Sequence, residues 1–218
     1  MPALIESNAK EGDNRGHSAA PQPPQSIRNS DSSNEKEKVR KIKIYIDHTN
    51  FWITGGRVTG DPYWPYDAIS LLRVLVEHTR FWDADQQPCD VTADVYGSAI
   101  WRFGSTWTKL GTTINEFVRS GLNQEKEVDT SLVADSVAEA VSNHFQNIET
   151  EFVIISGDRD MRPAINKIME GKFQVHLWSW DCAVSAAYER LHKEHQALVS
   201  EERFFKLHPL DDFRDHFA

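Results

Sequence analysis

Beyond residue 40 the hydrophobic positions alternate between a strand period and a helix period. Lys41–Ile46 (KIKIYI) sets Ile42, Ile44 and Ile46 on one side of an extended strand that ends in Asp47-His48-Thr49-Asn50, a polar loop. Pro65–His78 carries Ile69, Leu72, Leu75 and Val76 at helical spacing. Val91–Ile100 reads as a second strand and Ile114–Arg119 as a short third one. Val133, Val137, Val141 and Phe145 recur in steps of four and predict an amphipathic helix over Ser131–Phe145. Glu151–Ser156 (EFVIIS) has the continuous apolar character of a buried central strand. A helix over Pro163–Glu170 follows, with proline in its first turn and Gly171 at its stop. Gln174–Trp180 is a further strand and Ala183–His195 a last helix. This alternation predicts an α/β domain, a mostly parallel sheet with helices on both faces. The tail Glu201–Ala218 has no clear period, but Phe204, Phe205, Phe213 and Phe217 predict that it packs on the domain.

Residues 1–40 differ in kind. They hold no aromatic residue, are rich in Ser, Asn, Pro and Gln, and include Pro21-Gln22-Pro23-Pro24-Gln25. Such a segment cannot bury enough apolar surface to offset its chain entropy, so a disordered arm is expected, suited to recruiting a protein partner. The folded domain is expected over 41–218, with a C-terminal extension from about residue 197.

Charge narrows the functional classes. The chain has 218 residues, 24 Lys+Arg against 33 Asp+Glu, and a formal charge of −9. Acids and bases cancel within residues 1–40, so the whole acidic excess sits in the domain. An acidic domain does not attract polyanions by its overall field; it needs a local basic patch or bound cations. No apolar run is long enough for a membrane-spanning helix. Cys89 and Cys182 are too few and too far apart for a disulfide framework, and they read as buried reduced thiols of an intracellular protein, cytoplasmic or nuclear.

The chemistry lies where the strands end. In open α/β sheets, ligands collect at the carboxyl ends of the strands. Asp47 with Asn50 follows the first strand, Asp158 with Asp160 follows the buried strand, and Asp129 stands at the start of the long helix. Each has a plain structural alternative: Asp47 as a turn former, Asp129 as a helix N-cap, Asp160 as the cap of the next helix. Together they form a carboxylate set that suits a hard divalent cation such as Mg²⁺ or Mn²⁺. His48 could orient a water beside them or be an ordinary loop histidine.

Ile46-Asp47-His48-Thr49-Asn50, Lys126-Glu127-Val128-Asp129 and Ile155-Ser156-Gly157-Asp158-Arg159-Asp160 with Pro163 resemble the three signatures of NYN domains. These are LabA-like members of the PIN-like nuclease superfamily, and the resemblance covers roughly Lys41 to His195. It implies a Rossmann-like, three-layer α/β/α sandwich and metal-dependent cleavage of phosphodiesters, usually in RNA, with DNA as a second possibility. Carried over by position, Asp47, Asp129, Asp158 and Asp160 would be the catalytic metal ligands, with Asn50 supporting the first. Asp135 lies six residues beyond Asp129, about 600° of helix, and is expected on the helix surface. The chain departs from the pattern at Met161, in the tryptophan-rich segment Trp52–Tyr66, and in Ala99–Thr113.

Lys126, Arg159, Arg162, Arg102 and Lys109 are the candidate phosphate contacts. Trp52, Trp101 and Trp107, near Arg57, Arg102 and Lys109, either stack unpaired bases or pack in the core. Two functional readings follow: a metal-dependent ribonuclease, or a non-catalytic RNA-binding or adaptor module on the same fold. The presence of all four aspartates favours the first.

Overall fold

The computed structural model describes residues 39–81, 89–98, 100–117 and 124–218, without the side chains of Trp101 and residues 124–126. The expected N-terminal arm, up to residue 38, and the Lys126 side chain lie outside the described residues.

Six strands form one sheet: β1 (Arg40–Asp47), β2 (Asp90–Gly97), β3 (Thr113–Glu116), β4 (Glu149–Ile155), β5 (Gln174–Ser179) and β6 (Phe205–Pro209). All are parallel, in the order β3-β2-β1-β4-β5-β6. Parallel neighbours require crossovers, and these are supplied by α1 (His48–Thr59), α2 (Ala68–Glu77), α3 (Gly104–Lys109), α4 (Gln124–Gln146), α5 (Arg162–Glu170) and α6 (Ala186–Gln196). A short α7 (Arg214–Phe217) ends the chain. The α/β/α sandwich anticipated above is therefore present, and its sheet is wholly parallel.

Alternation along β1 divides the core. Ile42, Ile44 and Ile46 join residues of α1, α2 and α7 on one face, while Tyr45 joins α4, α5 and α6 residues on the other. Phe51 centres the first layer, with Trp64, Tyr66, Trp180 and Phe217 rings 5.0–6.2 Å from its own. The tail thus packs as expected, and it also supplies the edge strand β6. Imidazole Nδ1 atoms of His192 and His195 on α6 accept the N–H groups of Leu207 and Phe204 beside that strand. Those two histidines, three residues apart on α6, thereby tie the tail to the domain.

Four expectations are corrected. Asp47 feeds a helix directly rather than a polar loop: its Oδ1 accepts the Asn50 N–H at 3.0 Å and caps α1. The long helix starts at Gln124, so Asp129 lies inside it and is not its N-cap. Its buried stripe is Val128, Leu132, Ser136 and Ala140, whereas Val141 and Phe145 are 51% and 83% exposed. The apolar stripe is offset by one residue, about 100° of helix, from the stripe that meets the sheet, so Val133 and Val137 flank that contact and Val141 and Phe145 face outward. Both cysteines are free, but neither is buried: Cys89 is half-buried ahead of β2, and Cys182 is exposed in the turn after β5.

Candidate functional site

The strand order places a topological switch between β1 and β4. The chain leaves β1 towards β2 and β3, then crosses back to continue through β4, β5 and β6. At such a point the loops diverge and a crevice opens at the carboxyl ends of the strands. Ile46 and Ile155 are register partners, which puts Asp47 level with Ser156 at that edge.

Asp47 is almost wholly buried there, and both carboxylate oxygens accept hydrogen bonds: Oδ1 from Asn50 N–H, Oδ2 from Ser156 Oγ at 3.2 Å. Ser156 Oγ in turn accepts the Asp158 N–H at 3.2 Å, and Asp158 Oδ1 accepts the Asp160 N–H at 2.9 Å. Asn50 Oδ1 reaches across to the Gly157 N–H at 3.3 Å. Two segments more than 100 residues apart are therefore stitched into one polar unit. Asp158 caps the 3₁₀ turn Arg159–Met161, and its side chain and that of Asp160 are exposed. α5 begins directly afterwards, so its N-terminal end, the positive end of its dipole, abuts the loop. Asp160 does not cap α5, which has no side-chain cap; the capping carboxylate is that of Asp158, on the 3₁₀ turn before it.

Two buried contacts set the loop's path. A Cβ on Gly157 would stand 2.4 Å from the Ala183 carbonyl oxygen, so only glycine fits. Tyr188 on α6 donates its hydroxyl to the Asp158 carbonyl at 2.6 Å, and burial raises its pKa well above the ordinary value, keeping the phenol protonated. On the other side, Thr49 Oγ1 accepts the Ser98 N–H at 3.0 Å, tying the start of α1 to the end of β2.

Asp129 lies near the start of α4, a helix that touches β1, β2, β4 and the 159–161 turn. Its neighbours Val128 and Leu132 are buried in the same cluster as Tyr45, Tyr96 and Met161. Asp135 is exposed as expected, yet its carboxylate accepts the Tyr96 hydroxyl at 2.7 Å. Burial and that hydrogen bond raise the Tyr96 pKa, so the phenol remains a donor.

The structure thus brings Asp47, Asn50, Asp158 and Asp160 into one bonded unit and leaves Asp129 on the adjoining helix. Among the described residues, no three His, Cys, Asp or Glu side chains are already gathered as a metal cage. The donor set is nevertheless all oxygen, which suits Mg²⁺. That ion is commonly held through one or two carboxylates plus water and substrate phosphate, so a closed cage is not required.

His48 is not beside the crevice. It is fully buried among Trp52, Tyr66 and Phe103, ring centroids 5.3–6.2 Å away, and neither ring nitrogen has a partner. Desolvation lowers its pKa to about 4. Trp107 is likewise core, with its indole N–H donated to the Tyr66 hydroxyl at 3.0 Å. Arg159 and Arg162 flank the acidic loop, Lys109 is exposed at the end of α3, and Arg102 is exposed next to Trp52. Ser156, Tyr188 and Thr49 carry the site but had no role assigned from sequence. Ser156 was visible in the Ser-Gly-Asp element, whereas Tyr188 had no local signal.

A parallel sheet in this order, with an acidic unit at its switch point, defines an α/β/α protein of PIN-like architecture. The chain belongs to the NYN domain family, whose model matches residues 41–201. NYN domains are part of the PIN-like nuclease superfamily and are in general nucleases. Neither a curated protein nor a solved structure matches the chain. Among the described residues no helix is long and apolar enough to cross a membrane.

Proposed function

We propose that the chain is a divalent-metal-dependent ribonuclease that hydrolyses phosphodiester bonds in RNA at the β1–β4 crevice. The observation that carries this reading is the Asp47–Ser156–Asp158 relay, which fixes a buried carboxylate and an exposed one at a single sheet edge. Asp47, Asp129, Asp158 and Asp160 would hold Mg²⁺ or Mn²⁺. When bound, the ion supplies charge neutralisation at the phosphate and a water of lowered pKa.

The chain's own residues do the rest. Ser156 and the Asn50 N–H hold Asp47 in one orientation, so its oxygens need no reorganisation when charge develops nearby. The N-terminal end of α5 favours a phosphate over the loop, and Arg159 and Arg162 add positive charge to an otherwise acidic domain. The free cysteines suit a reducing, intracellular compartment.

The alternative is a non-catalytic RNA-binding or adaptor module on the same fold. Cleavage of an end-labelled single-stranded RNA with Mn²⁺ or EDTA, beside Asp158→Asn, separates the two. Cleavage that requires both the metal and Asp158 is the expected result. A folded Asp158→Asn protein that cleaves as fast as the parent sinks the site as drawn. Absence of both cleavage and calorimetric metal binding supports the non-catalytic module.

A further inference from the structure

We propose that Trp52, Arg102 and Tyr63 form a stacking platform for the unpaired bases of a single-stranded nucleic acid beside the acidic crevice; this rests on the nuclease reading for its biological sense. The platform is built from the two segments that depart from the family pattern, and each member is held differently. Trp52 lies on α1, close behind Asn50, and its indole N–H is committed to the Trp64 carbonyl at 3.0 Å, which locks the ring plane. Tyr63 sits in a turn closed by Asp61, whose Oδ1 accepts the Tyr63 N–H at 2.8 Å and whose carbonyl accepts the Trp64 N–H at 3.0 Å. The next residue, Trp64, is buried, so the turn is anchored while Tyr63 is held out, 71% exposed. The Arg102 guanidinium lies between them, 5.4 Å from the Trp52 ring and 5.6 Å from that of Tyr63.

A single exposed tyrosine needs no explanation. A tyrosine ring, a guanidinium and an indole in sequence, with the backbone under each one pinned, is a surface of flat, polarisable groups. The tower continues inward: His48, adjacent to Asp47, stacks on Trp52 with ring centroids 6.2 Å apart and planes 17° apart. His48 is itself buried, so it backs the Trp52 ring rather than offering a face to a base. A strand with its phosphate at the crevice would lay its neighbouring bases there, while Arg102 adds positive charge to an acidic domain.

Flat π surfaces and arginine planes take unpaired bases of any identity and do not read the sugar. Paired bases inside a duplex present no free face to them. The platform therefore selects single strands over duplex, and accepts both RNA and DNA.

The test uses full-length protein carrying Asp158→Asn, so that cleavage does not intrude, and fluorescence anisotropy of a labelled 12-mer. Oligo(U) and oligo(dT) should bind with comparable affinity and at least tenfold more tightly than a duplex of the same length. Tyr63→Ala and Arg102→Ala should each weaken single-strand binding roughly tenfold, and Tyr63→Phe should retain it. Arg102→Lys, which keeps the charge and loses the planar group, should fall well short of the parent. Equal binding of duplex, parent-like binding by Tyr63→Ala, or no single-strand binding at all overturns the proposal. The nuclease reading fails separately, in the cleavage assay of the Asp158-intact protein.

Discussion

Ser156 Oγ donates to Asp47 Oδ2 across 3.2 Å, and by doing so joins the end of β4 to the end of β1. The same oxygen accepts the Asp158 N–H, so one hydroxyl sets the position of two carboxylates. Ser156→Ala removes both bonds at a fully buried position, so the Asp158 amide and the buried Asp47 carboxylate each lose one hydrogen bond. A cost of about 1–3 kcal/mol in stability is expected. RNA cleavage should fall by more than the stability loss explains, read as turnover well below the melting transition. Parent-like turnover would show that Asp47 needs no such support.

Gly157→Ala is expected to be more damaging than its size implies. The new methyl would meet the Ala183 carbonyl oxygen at 2.4 Å and Ser179 Oγ at 2.7 Å, and a backbone carbonyl cannot step aside as a flexible side chain can. About 1–3 kcal/mol of destabilisation follows from such overpacking. Urea unfolding measures it, and a loss under 0.5 kcal/mol would mean that the loop relaxes freely.

Away from the site, Glu151 is the most heavily committed buried carboxylate. It is fully buried and accepts from the Arg80 backbone N–H, from Arg80 Nε at 2.8 Å and from His176 Nε2 at 2.9 Å. Glu151→Ala strands His176 in the core, while Arg80, half-exposed, can turn to water. The expected cost is therefore about 3 kcal/mol, the low end for breaking a buried ion pair. Thermal and urea unfolding of the variant check it.

His176 passes its other nitrogen to His208, 3.0 Å away, and His208 lies flat on Trp178 with centroids 4.3 Å apart. Burial above all, then the neighbouring His176, Lys206, His78 and His192, lower the His208 pKa from 6.5 to about 2. The unfolded chain therefore takes up a proton near pH 6.5 that the folded chain refuses. Stability from this group is complete above pH 6.5 and is lost as the pH falls below it. Between pH 6 and 5, His208→Gln should flatten the decline in unfolding free energy by about 1 kcal/mol per pH unit. Parallel slopes for parent and variant would place the proton elsewhere.

Sequence periodicity located the two central strands best. EFVIIS is apolar on both faces, and Lys41–Ile46 alternates because Ile42, Ile44 and Ile46 enter the core while Lys41 and Lys43 on the other face pair with Glu139 and Asp94. α4 was placed, but its inward stripe was not. Its inward positions include Ser136, Ala140 and Asn143, small or polar residues that pack or hydrogen-bond against the sheet, while larger apolar side chains point outward. β6 carries too few apolar residues to announce itself, and it exists because β5 offers an edge to pair with.

The sequence by itself determined the parallel α/β plan, the acidic positions at the ends of β1 and β4, and the family. Those depend on local period, on turn chemistry and on short motifs that survive without tertiary context. Only the tertiary structure decided that Ser156 would link Asp47 to Asp158, that Tyr188 would hold the loop from 30 residues away, and that His48 would turn into an aromatic pocket. It also made Trp107 a core residue and left Tyr63 in solvent. Which aromatic is buried depends on what packs above it, and residues distant in the chain meet only once the sheet has chosen its strand order.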